Sequence, residues 1–168
     1  MRAHEILRRL TNDELDSLVL SACEDEEIPD KIAGGVLTYQ RIPLTRFARL
    51  PEEQRKAYVR RTLRDRQAAD LALYVVSAAL LQTKAEMIAA FLESLGVPHD
   101  GPNVTTEGAI PEPDAEKLRA GVDALLAAYP ARDVAVYLHA FAGQPDVSWK
   151  GLDERLASDP RLSLAEPA

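Results

Sequence analysis

The chain is 168 residues long, 46% hydrophobic and 28% charged, with a single cysteine and a formal net charge of −7. A chain of this length buries about two-thirds of the surface it exposes when unfolded, so it can fold without disulfides or a structural metal, and its apolar content excludes whole-chain disorder. The acidic balance excludes a surface that wraps polyanions as a whole, because phosphate binding is driven by lysine and arginine. One helical domain spanning 1–168 is the expectation, since 26 Ala and 23 Leu stand against 24 Val, Ile and Thr together.

Arg8 and Arg9 interrupt the first apolar residues before the core of a secretory leader can build, and Cys23 has no partner for an internal disulfide, so a cytoplasmic protein is expected. Thr11 and Glu14 form a capping-box pattern that starts a helix over about 12–23. The stretch 30–42 fits helical spacing through Ile32, Val36 and Tyr39, although Gly34 and Gly35 weaken it. Pro43 and Pro51 bracket a connector, and Pro51-Glu52-Glu53 reads as a helix start. From there the pattern runs to Gln82, as one helix or as two with a break near Asp65. The apolar run 68–81 covers 14 residues, short of the roughly 20 needed to cross a bilayer, and is expected to be the central helix of the core.

Thr83 and Glu86 suggest a second capping box ahead of the stripe Met87, Ile88, Phe91, Leu92 and Leu95, with Gly96 and Pro98 as the stop. Residues 96–113, rich in proline and glycine, read as a long loop, either a flap or a functional segment. Asp114 caps a helix through Leu118, Val122, Leu125 and Leu126 that ends at Pro130. A further helix carries Val134, Tyr137, Leu138 and Phe141, and a last short one holds Trp149, Leu152 and Leu156. The fold class is therefore all-α, with six or seven helices around the apolar run.

No catalytic, cofactor or metal constellation emerges. His4, His99 and His139 lack a His, Asp or Glu at three or four residues' distance, so no helical metal pair forms, and His139, off its helix's apolar stripe, is read as a surface or second-interface residue. Cys23 precedes four carboxylates that oppose thiolate formation. Glycine motifs for nucleotides and the nucleophile elbow do not occur, and Pro43 breaks any helix-turn-helix over 32–50.

Two patterns rise above this background. Residues 41–66 hold nine basic and three acidic groups, a balance of +6 that leaves −13 for the remainder; Lys56, Arg60 and Arg64 project from one helical face, opposite Val59, Thr62 and Leu63. That face is a solvated one or is covered by the protein's own acidic segments, or else it receives an anion or an acidic partner; a nucleic acid on 41–66 is the least favoured occupant. Arg66, Asp70, Tyr74 and Ser77 recur along one line of the apolar run, with Arg55 on the same side if the helix is continuous. Buried, that line must be internally hydrogen-bonded, through an Arg66–Asp70 pair, or border a pocket. The leading expectation is a non-enzymatic protein working through protein contacts, self-associating through complementary basic and acidic surfaces or an apolar helix face. The alternative is a binding protein, or an enzyme, for a small anionic ligand, with Arg55, Arg66, Asp70 and Tyr74 lining the pocket and the 96–113 loop covering it.

Overall fold

The computed structural model describes residues 1–164, which carry ten α-helices, two short 3-10 turns and one two-stranded hairpin, an all-α fold. Packing divides the chain into an N-terminal unit, Arg2–Gln82, and a C-terminal unit, residues 83–164.

In the N-terminal unit, α1 (Ala3–Arg8) was not legible as a helix; it buries His4, Ile6 and Leu7. The capping box starts α2 (Asn12–Ala22) as expected: Glu14 N donates to Thr11 Oγ1 (3.2 Å) and Thr11 N to Glu14 Oε2 (2.7 Å). Residues Ile28–Tyr39 form α3, glycines included. A Cβ on Gly35 would come within 2.4 Å of Leu71 Cδ2, so this glycine lets α3 approach its neighbour, whereas Gly34 faces open space. The connector folds into a single turn, α4 (Leu44–Phe47), and Pro51 precedes α5 (Glu52–Leu63).

The 52–82 stretch is two helices. Asp65 leaves helical backbone (ψ 134°) and accepts Gln67 N at 2.8 Å, capping the 3-10 turn Arg66–Ala68 from which α6 (Ala69–Thr83) starts. Ala72, Val75, Val76, Ala79 and Leu80 of α6 are buried, but Tyr74 and Leu81 are exposed, so α6 is a one-sided helix and not an enclosed central rod.

In the C-terminal unit, α7 (Ala85–Leu95) ends at Gly96 in the left-handed conformation (φ +68°), as its spacing implied. The helix starts after Lys84 rather than from a Thr83 box; Lys84 Nζ binds Asp133 at 2.5 Å. Beyond Gly96 lies a small hairpin, β1 (His99–Asp100) and β2 (Asn103–Val104), turning at Gly101 (φ +56°). Asp114 caps α8 (Ala115–Ala128) by accepting Lys117 N at 2.8 Å. The most enclosed helix of this unit is α9 (Ala131–Ala142), in which every residue from Val134 to Phe141 is buried. Its Tyr137 and Phe141 rings meet Phe91 edge-on at 5.7 and 5.9 Å, and Phe141 meets Trp149 at 5.1 Å, ahead of α10 (Lys150–Ser158). The 96–113 segment is fastened, not a free flap: Ile110 is buried, its N–H donates to Asp146 O (2.9 Å), and its carbonyl accepts Trp149 Nε1 (2.8 Å).

Candidate functional site

The N-terminal unit opens a groove of about 330 Å³ between α2, α3 and α5. Each wall follows from sequence. The run Leu18-Val19-Leu20 on α2 puts more apolar side chains side by side than one helix face can hide; Leu15 goes fully inside, and Val19 and Leu20 are left to the groove. From α3 come Pro29, Ile32 and Ala33, and from α5 comes Val59. The α4 turn delivers Phe47, whose ring is held edge-on against Tyr58 with centroids 6.3 Å apart. Leu20 stands 74% exposed at the lip.

The rim is ionic and largely self-neutralised. Asp16 accepts Arg60 Nη1 at 3.2 Å, with Glu53 a further 3.8 Å partner of the same guanidinium. Lys56 Nζ lies 2.9 Å from Glu52 and 3.1 Å from Glu53; the hydrogen bond to Glu52 is the main reason the ammonium's pKa is raised, and the same bond lowers that of Glu52. Arg55 is the exception: exposed and lining the groove, it makes no ion pair or hydrogen bond of its own among the described residues, although its charge helps to lower the pKa of Glu52.

The polar line expected along the central helix does not form as a buried seam. Asp65 breaks the helix between Arg55 and the others, and Arg66 and Asp70 both face solvent without the ion pair expected between them. Ser77 is half-buried. Tyr74 is 39% exposed; its hydroxyl accepts from Lys31 Nζ (2.7 Å) and donates to Glu27 (3.4 Å), while the same ammonium sits 4.0 Å from its ring centre. It borders a second hollow of about 350 Å³ over Gly34, Gly35 and Thr38. Arg55 and Tyr74 thus line different hollows, and the four residues of the expected anion pocket are not brought together.

The expected outward basic face is also engaged internally. Beyond the pairs of Lys56 and Arg60, the Arg64 guanidinium donates to Leu7 O (3.1 Å), Asn12 Oδ1 (2.9 Å) and Leu10 O (2.8 Å), and Arg8 Nε donates back to Arg64 O (2.8 Å). These bonds satisfy carbonyls left over at the end of α1, a structural task.

His139 is buried, not superficial. Its Nε2 lies 3.2 Å from Leu162 O, its Nδ1 has no partner, and burial lowers its pKa. Burial pushes the Cys23 thiol up, which keeps it protonated and unreactive. Among the described residues no group of three His, Cys, Asp or Glu side chains converges as a metal site, and no single helix is long and apolar enough to cross a membrane.

No family model matches the chain, and no curated protein or solved structure matches it. The functional reading therefore rests on the groove.

Proposed function

We propose that this chain is a non-enzymatic protein-interaction module whose N-terminal unit docks the apolar face of a partner protein's helix in the groove between α2, α3 and α5. Leu20 carries the reading: a large apolar side chain, 74% exposed, at the mouth of an apolar hollow. Covering it recovers about 25 cal/mol per Å² of apolar surface, whereas leaving it in water gains nothing for the folded chain. The hollow's ~330 Å³ lies at the lower end of the roughly 300–1,000 Å³ typical of small-molecule pockets. Its three helical walls suit the anchoring side chains of an incoming amphipathic helix.

The test is fluorescence anisotropy of a labelled, leucine-rich amphipathic helical peptide against the full chain. Leu20→Asp weakens binding by about tenfold or more, the equivalent of losing one buried leucine contact, with the unfolding midpoint unchanged because the side chain is exposed. Affinity that ignores Leu20→Asp removes the groove as the docking site.

A further inference from the structure

We infer that the helix received by this groove is acidic, its apolar face flanked by glutamate or aspartate side chains that pair with Arg55, Arg46 and Arg49. The inference rests on the docking reading above and adds the partner's charge.

Its ground is the uneven satisfaction of the rim. Asp16 is engaged by Arg60 and Glu52 by Lys56, while Arg55 acts on Glu52 through its charge alone, with no direct ion pair. Arg55 therefore lines the groove with the hydrogen-bonding capacity of its guanidinium unused among the described residues. The segment that brings Phe47 to the groove carries Arg46 within the α4 turn and Arg49 just beyond it, both exposed and without an ion pair among the described residues. Three arginines with no direct ion pair among the described residues thus belong to the segments that build an apolar groove.

A helix seated there brings its flanking residues against these cations. Lysine at those positions adds like-charge repulsion in a partly dehydrated contact; glutamate or aspartate supplies the planar acceptor that a guanidinium binds through two parallel hydrogen bonds. The apolar lip argues for a polypeptide over a nucleic acid, since a sugar-phosphate backbone would satisfy the arginines but leave the 74% exposed Leu20 uncovered by anything apolar.

Three synthetic helical peptides with one identical leucine face, and with glutamate, glutamine or lysine at the flanking positions, are titrated against the full chain by anisotropy at low and high salt. Affinity is expected to fall in the order glutamate, glutamine, lysine. The glutamate peptide should exceed the lysine peptide by about tenfold or more at low salt, with the gap narrowing as screening increases. Arg55→Glu, at an exposed position that leaves the circular dichroism spectrum unchanged, should reverse the order; Arg46→Glu with Arg49→Glu should narrow it. Equal binding of all three peptides, unaffected by Arg55→Glu, overturns the charge assignment while leaving the docking groove intact. If no peptide binds, the docking reading itself fails. Tighter binding of a mixed-sequence single-stranded RNA with the same Arg55 dependence overturns the inference, as does a dimer, seen by light scattering, that Leu20→Asp dissociates.

Discussion

Arg64 and Asn12 lie 52 residues apart and are joined by a 2.9 Å hydrogen bond from the Arg64 guanidinium to the Asn12 side-chain oxygen. The same guanidinium collects the carbonyls of Leu7 and Leu10, so one side chain ties the end of α5 to the α1–α2 junction. Arg64→Ala strands those carbonyls and is expected to cost about 1–3 kcal/mol, read as a lower urea midpoint with an unchanged slope. Arg64→Lys should recover only part of the loss, because a single ammonium cannot reproduce the three-way fork.

Gly34 and Gly35 are adjacent on α3 and predict opposite outcomes. A methyl at Gly34 meets nothing within 4 Å, so Gly34→Ala should stabilise by roughly 0.5–1 kcal/mol through helix propensity alone. At Gly35 the added carbon would sit 2.4 Å from a Leu71 methyl, and the displacement cancels or reverses that gain. Thermal melts of the two single variants, differing by one methyl each, measure the contrast directly.

The hydroxyl of Tyr137 is buried without a hydrogen-bond partner, and burial drives its pKa well above the ordinary phenol value. Tyr137→Phe keeps the ring contacts with Phe91 and Phe141 and removes only the unsatisfied group. The variant should be as stable as the parent or up to about 1 kcal/mol more so. A loss of more than about 1 kcal/mol would mean that the hydroxyl is doing something the ring contacts do not account for.

His4 is buried in α1, and burial is the main reason its pKa lies below 6.5, with Arg8, Arg2 and Arg66 acting in the same direction and Glu5 against it. Because the unfolded chain takes up this proton more readily than the folded one, stability is full above pH 6.5 and declines as the pH falls through that value toward the folded pKa. Urea midpoints compared at pH 7.5 and pH 5.5 should show the decline, to which the buried His139 also contributes, and His4→Phe should make it shallower. A slope that His4→Phe leaves unchanged assigns the effect to another group.

Much of the helical pattern was readable because caps and stops are local. Thr11 with Glu14, Asp114 and Gly96 each act within a few residues, and each stands where its spacing implied. The burial of α6 was not readable, because it depends on what α6 packs against. A run as apolar as 68–81 implies enclosure, yet the face carrying Tyr74 is left to solvent, and the more mixed sequence of α9 is buried almost throughout. Asp65 was visible as a break, but its consequence for function was not: by capping a new turn it removes Arg55 from the line of Tyr74 and divides one expected pocket between two hollows. Of the groove, only Arg55 and Lys56 had been singled out in advance as candidate functional residues. The signal that would have found the rest is Leu18-Val19-Leu20 directly after the buried Leu15, three apolar neighbours that no single helix face can cover.

Trp149 is the chain's sole tryptophan, and it sits wholly inside the aromatic cluster of the C-terminal unit with its indole N–H on Ile110 O. Indole emission is therefore a private reporter of residues 83–164, blind to the half that carries the groove, whereas far-ultraviolet ellipticity senses every helix at once. Overlaid denaturation curves from the two signals show directly whether the halves melt as one cooperative body or in separate steps, with no label or truncation required.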